Sequence, residues 1–231
     1  MRAFALAASL FMASGAFANT TPRERIRDAA QVFNEVVSAP DKSIPQDLLN
    51  RSDCVIVVPG LKRAAFVVGG EYGRGFAECR NPNGVGWAAP AAVRMEGGSV
   101  GFQIGGEEAD VVLLVMSREG MRKLMDNKIT LGADASVAAG PVGRTANAQT
   151  DLALHSEILA WSRSRGAFAG IALNGATIRP DNDENARIYG RAVTMHQIVM
   201  DHVRPPAEAR PLISTLDRYS SRGSSSADRA Q

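Results

Sequence analysis

Five apolar runs between Asp53 and Met116 constrain this chain more than any other feature. They read CVIVVPG, AAFVVGGEYGRGFAEC, GWAAPAAVRMEGG, SVGFQIGGEE and DVVLLVM. Each is short, β-like and broken by Gly, Pro or Asn, the pattern of antiparallel strands joined by tight turns. NPNG, from Asn81 to Gly84, is a turn signal. Glycines inside the runs imply bulges or places where one backbone approaches another closely. With 22 glycines and only 6% aromatic residues, small side chains favour close strands over a thick helical bundle. The expected fold class is α+β: a glycine-rich antiparallel sheet or partly closed barrel with flanking N- and C-terminal helices.

The flanks carry helical spacing. In TPRERIRDAAQVFNEVVS, residues 21–38, Ile26, Ala29, Ala30, Phe33, Val36 and Val37 form one apolar face, and Pro22 suits the first turn. A short helical turn is expected at residues 44–49. Ser117 caps a helix through REGMRKLMD, and Asp181 to Gly190 reads as a capped helix ended by glycine. Further strands are expected in 154–178, with Ser-Arg-Ser-Arg-Gly as a turn that holds Arg163 and Arg165. Helices are expected around 191–203 and 206–219. GADASVAAGPVGR, from Gly132 to Arg144, holds no residue large enough to build a core. Two readings stay open for it. One is a close-packed crossover under neighbouring strands. The other is a concavity of backbone N–H groups that binds a phosphate with Arg144.

The first eighteen residues, MRAFALAASLFMASGAFA, have one cation at Arg2, an apolar run and Ala16-Phe17-Ala18. That is a secretory signal, cut before Asn19. The expected organisation is a signal peptide over 1–18, one domain over 19–219 and a disordered tail over 220–231. The mature chain is then exported, periplasmic or secreted. Cys54 and Cys79 are the only cysteines. In an oxidising compartment an even pair is expected to bond, the alternative being two buried thiols.

Enzymatic motifs are weak. Gly97-Gly98-Ser99-Val100-Gly101 fits the G-x-S-x-G elbow of serine hydrolases, but no helix is expected after it. A serine esterase using Ser99 is the least favoured alternative. His155, His196 and His202 lack compact metal-ligand spacing, and no Walker-type phosphate loop is present. No cofactor or metal is expected. With Arg2 removed, 25 basic residues face 24 acidic ones, so the overall charge gives no argument for nucleic acid. Local basic clusters remain: Arg23, Arg25 and Arg27 on the first helix, Lys62 and Arg63 in a turn after Pro59-Gly60, Arg122 with Lys123, and Arg144 with Arg163 and Arg165. The first helix has two possible fates. It can lie in a membrane interface with its arginines on anionic lipid, or it can pack its apolar face on the body of the domain.

Taken in order, the segments resemble the SYLF domain family of lipid-binding proteins. The likeness runs from Gln31 to Gly190 and rests on four blocks: VIVVPGLKRAAFVVGGEYGRG, GWAAPAAVRMEGGSVGFQIGGEEADVVLLVM, LGADASVAAGPVGRTANAQTD and ILAWSRSRGAFAGIALNGATIRPDNDENARIYG. The resemblance implies a binding module, not an enzyme, with the amphipathic helix and basic surface residues facing lipid. Expected contacts are Arg23, Arg25, Arg27, Lys62 and Arg63, with Arg144, Arg163 and Arg165 as a second patch. The expected ligands are anionic phospholipids or phosphoinositide-like headgroups. The actin role of eukaryotic members does not transfer to a periplasm. The runner-up is an envelope structural or assembly protein that binds a partner protein through its first helix.

Overall fold

A computed structural model describes residues 20–39, 43–65, 68–100, 105–142, 156–164, 168–171 and 173–220. The apolar runs form one sheet, ordered β5-β9-β3-β2-β1-β4-β7-β6, with β8 paired to β7. The strands are β1 (Cys54–Ala65), β2 (Val68–Cys79), β3 (Ala91–Val100), β4 (Gly105–Val115), β5 (Ile129–Thr130), β6 (Val137–Ala139), β7 (Ile158–Arg163), β8 (Ala169–Gly170) and β9 (Thr177–Pro180). Every pair is antiparallel except β6 with β7. The sheet curls into a half-barrel flanked by helices, so the α+β expectation holds.

Along Cys54–Val58 of β1 and Val111–Val115 of β4 every position is apolar because both faces of the sheet are buried there. Cys54, Ile56 and Val58 of β1 join Val111, Leu113 and Val115 of β4 in one core. Val55 and Val57 join Val112 and Leu114 in the other. Burial on two faces replaces the usual polar alternation with a continuous apolar run. Helices α3 (Arg118–Asp126) and α5 (Met195–Met200) close the first core through Leu124, Met125, Ile198 and Val199. Helices α1 (Pro22–Ser38), α2 (Gln46–Arg51) and α6 (Arg210–Ser220) close the second through Ile26, Phe33, Val36, Leu49, Leu212 and Leu216. Between these lies α4 (Asn182–Tyr189), capped by Asp181 and ended by Gly190.

The first helix is docked. Thr21 and Glu24 form a reciprocal capping box ahead of Pro22, which fixes where the helix begins. Ile26, Ala29, Phe33 and Val36 are fully buried. At the other end of the second core, buried Arg80 donates to the carbonyls of Leu49, Ser52 and Ser220 and stacks on Trp87. That cation gathers carbonyls left open at the ends of α2 and α6.

Cys54 and Cys79 lie directly opposite each other on β1 and β2 and form a disulfide. Closing a loop of 25 residues in this way contributes about 3 kcal/mol. The small-residue stretch is a crossover as far as Val142. Its β6 runs parallel to β7, and a Cβ on Gly140 would sit 2.1 Å from the Trp161 ring. Trp161 Nε1 donates to the Pro141 carbonyl at 3.1 Å, so the indole is both covered and satisfied. The Arg144 end of the stretch lies outside the described residues, as do residues 1–19, where a signal was expected, His155, Arg165 and residues 221–231.

Three readings need correction. Ser162 and Arg163 do not sit in the expected Ser-Arg-Ser-Arg-Gly turn, because β7 runs through both and pairs them with β4. Lys62 and Arg63 do not sit in a turn, because β1 continues through them, and a bulge at Pro59-Gly60 shifts its register against both neighbours. The extra residue satisfies the turn-like Pro-Gly signal without ending the strand. Also, α5 stops at Met200, so His202 lies beyond it, in a left-handed conformation with φ of 51°.

Candidate functional site

The β1 bulge decides which cation faces the first helix. Before it, Val55 and Val57 point toward α1; after it, Leu61 joins the opposite core. One inserted residue inverts the alternation. Lys62 therefore lies on the α1 side and Arg63 on the other, where it pairs with Glu71 at 3.0 Å. Gly60 takes a φ of +59°, and its N–H donates to Asp110 Oδ1 at 3.0 Å, tying the bulge to β4.

Above the bulge lies a half-open cleft of about 660 Å³ between α1 and strands β1, β2, β4 and β7. Arg25, Lys62, Arg74 and Arg163 line it from four different elements, and exposed Tyr72 stands at its edge. The fold thus brings Arg163, expected in a second patch, beside Arg25 and Lys62. Asp28, Glu108 and Asp110 also line the cleft, so it is not a plain basic surface. Arg163 donates to Asp110 at 2.7 and 3.1 Å and pairs with Glu35. Burial opposes the Arg163 charge, but these hydrogen bonds outweigh it and raise its pKa above the ordinary value. Hydrogen bonds from Gln31 and Arg163 hold Glu35 below the usual carboxylate range. Arg25 pairs with Glu184 and donates to the Thr20 carbonyl. Arg23 reaches Glu208 at 3.1 Å across the rim of α1. Arg27 lies on the exposed side of the same helix.

Ser99 lies inside β3 opposite Gly69, and the next described element is β4. The G-x-S-x-G match therefore runs along a strand as far as Val100, and the next described element is a strand where a nucleophile elbow needs a helix. Among the described residues there is no cluster of metal-ligating side chains, and no helix is long and apolar enough to cross a membrane.

Sequence reasoning missed three arginines. Arg74 on β2, Arg94 on β3 and Arg179 on β9 are direct cross-strand neighbours. Each stands alone in an apolar or glycine-rich run, at GRG, VRM and IRP. A lone arginine inside a strand run was the available signal, but the register that aligns the three was not. Also missed was Glu78, fully buried on β2 with neither carboxylate oxygen hydrogen-bonded among the described residues.

A family model described as "Ysc84: Las17-binding protein actin regulator" matches residues 96–219. The chain belongs to this family, the one its sequence blocks resemble under the name SYLF. It is 35% identical to Protein YSC84 of Saccharomyces cerevisiae over 187 residues, 80% of this chain and 39% of that protein. LAS seventeen-binding protein 3 of the same yeast is 33% identical, with 80% and 40% covered. SH3 domain-containing YSC84-like protein 1 of Xenopus laevis is 32% identical over 202 residues, with 84% and 59% covered. The chain thus spans between two fifths and three fifths of the length of these relatives.

Proposed function

We propose that this chain is an exported binding module that recognises anionic phospholipid or phosphoinositide-like headgroups at a membrane surface, without a catalytic step. One observation carries the reading: Arg25, Lys62, Arg74 and Arg163 converge from separate elements on one open cleft beside exposed Tyr72. Cations in such a setting exchange intramolecular carboxylates for lipid phosphates, and a tyrosine places its ring at headgroup level. The apolar face of α1 is occupied by the second core, so contact is made by side chains around a docked helix and not by its insertion.

The test is co-sedimentation of residues 19–231 with neutral and phosphatidylglycerol-containing vesicles at low and high salt. Binding should be selective for the anionic vesicles and fall as salt rises. A cation near an anionic surface contributes about 1 kcal/mol, so Lys62→Glu should lower partitioning about tenfold or more. Equal binding by Lys62→Glu moves the contact away from the cleft. Binding to no vesicle removes the lipid reading and leaves the runner-up, an envelope protein as partner. Export is part of the same proposal. N-terminal sequencing of the protein isolated from its native cell envelope should begin at Asn19, and a chain that begins at Met1 would overturn it.

A further inference from the structure

Arg74, Arg94 and Arg179 occupy directly opposed positions on three adjacent strands, β2, β3 and β9. Opposed residues share a face and lie about 5 Å apart, and like charges so placed repel. The carboxylates that offset this repulsion are few. Asp181, the N-cap of α4, approaches Arg74 at 3.3 Å and Arg94 at 3.9 Å. Its Oδ1 is already committed to the backbone N–H of Glu184. Its Oδ2, between the two guanidiniums, makes no hydrogen bond to either. Glu96 approaches Arg94 and Arg179, and Glu184 serves Arg25, Arg74 and Arg187. Five guanidiniums therefore share three carboxylates.

Donors are left over as well as charge. The Nε atoms of Arg74, Arg94 and Arg179 are all shielded from solvent, and among the described residues none makes an aligned hydrogen bond, although Arg74 Nε lies 3.3 Å from Asp181 Oδ2 and Arg94 Nε 3.2 Å from Glu96 Oε1. A buried donor without a well-aligned acceptor is costly, and here the same atom lacks one on three successive strands. The ladder is also open at both ends. Arg74 lines the cleft beside α1. Arg179 lines a second cleft of about 540 Å³, together with Lys128, Tyr72 and Glu96. Excess positive charge, poorly aligned N–H donors and open space coincide along one row.

The geometry points to a binding site for a compact, multiply charged oxyanion of the phosphate class on the Arg74-Arg94-Arg179 ladder. A guanidinium row matches tetrahedral oxyanions because each arginine presents paired N–H donors in a fixed fork. The ligand displaces Glu96 and supplements Asp181 as counter-charge. This site shares Arg74 and Tyr72 with the α1 cleft but does not rest on the membrane reading.

Calorimetric titration of residues 19–231 with pyrophosphate, at fixed ionic strength, tests it. Arg179 is the most exposed rung, with 41% of its side chain accessible, so Arg179→Gln should leave the fold intact. It should weaken pyrophosphate binding about tenfold, the loss of one charge-assisted contact. Glu96→Gln removes a competing carboxylate and should tighten binding, an outcome that a purely structural ion-pair network would not give. No pyrophosphate binding by the wild-type protein overturns the proposal, and so does equal affinity in all three proteins. A parallel arm with vesicles containing phosphatidic acid identifies the source. Ladder-dependent vesicle binding assigns a lipid headgroup, whereas ladder-dependent binding of pyrophosphate alone assigns a soluble phosphate compound. Vesicle binding that responds to Lys62→Glu but not to Arg179→Gln supports the membrane reading and leaves the ladder to be judged by the titration.

Discussion

Gly75→Ala should cost the fold at least about 3 kcal/mol, beyond the usual range for an overpacked core position. A Cβ at Gly75 would lie 2.0 Å from the Val57 carbonyl oxygen and 2.7 Å from the Val58 Cα. Both are backbone atoms of β1, so no side chain can rotate away. β1 cannot retreat either, because its far edge is bonded to β4 along the same stretch. The collision falls just before the Pro59-Gly60 bulge, where the paired register of β1 is interrupted. Denaturant unfolding measures the effect, and Gly98→Ala is the control. Nothing lies within 4 Å of a Cβ at Gly98, so that variant should stay within about 0.5 kcal/mol of wild type. Coincident midpoints for the two variants would refute the close approach of β2 to β1.

Glu78→Met should stabilise the protein, by an amount that grows with pH. Glu78 lies on β2 opposite Val55, fully buried, and among the described residues neither of its oxygens has a hydrogen-bond partner. Burial holds its carboxyl well above the ordinary Glu value. Burial also raises the Tyr189 hydroxyl, and the nearby Glu78 adds to that shift. The sign follows from proton linkage. Because the folded state holds its proton more tightly than the unfolded chain, stability is greatest below the unfolded pKa of about 4.3. It falls as pH rises toward the folded pKa. Methionine removes both the unsatisfied oxygens and the proton linkage. The gain is about 1–3 kcal/mol from the polar atoms alone, with a further increment as pH climbs from about 4 to 8. Glu78→Gln isolates the second effect, since it keeps the polar atoms but cannot ionise. Thermal unfolding of the three proteins across that range is decisive. A wild-type minus Glu78→Gln difference that stays flat with pH would mean that the carboxylate has a partner in the folded state.

Much of the architecture was legible along the chain because local signals agreed. Pro22 and the apolar spacing from Ile26 to Val37 announced α1, Ser117 announced α3, and Asp181 with Gly190 bracketed α4. The runs of β1 to β4 announced strands, and the lone cysteine pair announced its own bond. The illegible parts depend on relations between strands. A Pro-Gly pair reads equally as a turn or a bulge, and only pairing on both sides of β1 makes it a bulge. That difference moved Lys62 and Arg63 to opposite faces. Arg163 joined Arg25 because α1 crosses the sheet at the bulge, a relation between residues 138 positions apart that no local pattern encodes. The arginine ladder was hidden for the same reason, since each rung belongs to a different strand.

The docking of α1 against α6 joins the two ends of the chain. Arg25 reaches Glu184 across 159 positions and Arg23 reaches Glu208 across 185. Leu212 and Leu216, which share the second core with Ile26 and Phe33, come later still. During synthesis, α1 must therefore wait until α6 has been made before its resting place exists. Contacts this distant in sequence form slowly, and apolar surface exposed in the interval invites association. The vulnerable period of this protein's life is set by its topology: an amphipathic helix stands ready from the start, and its dock is built last.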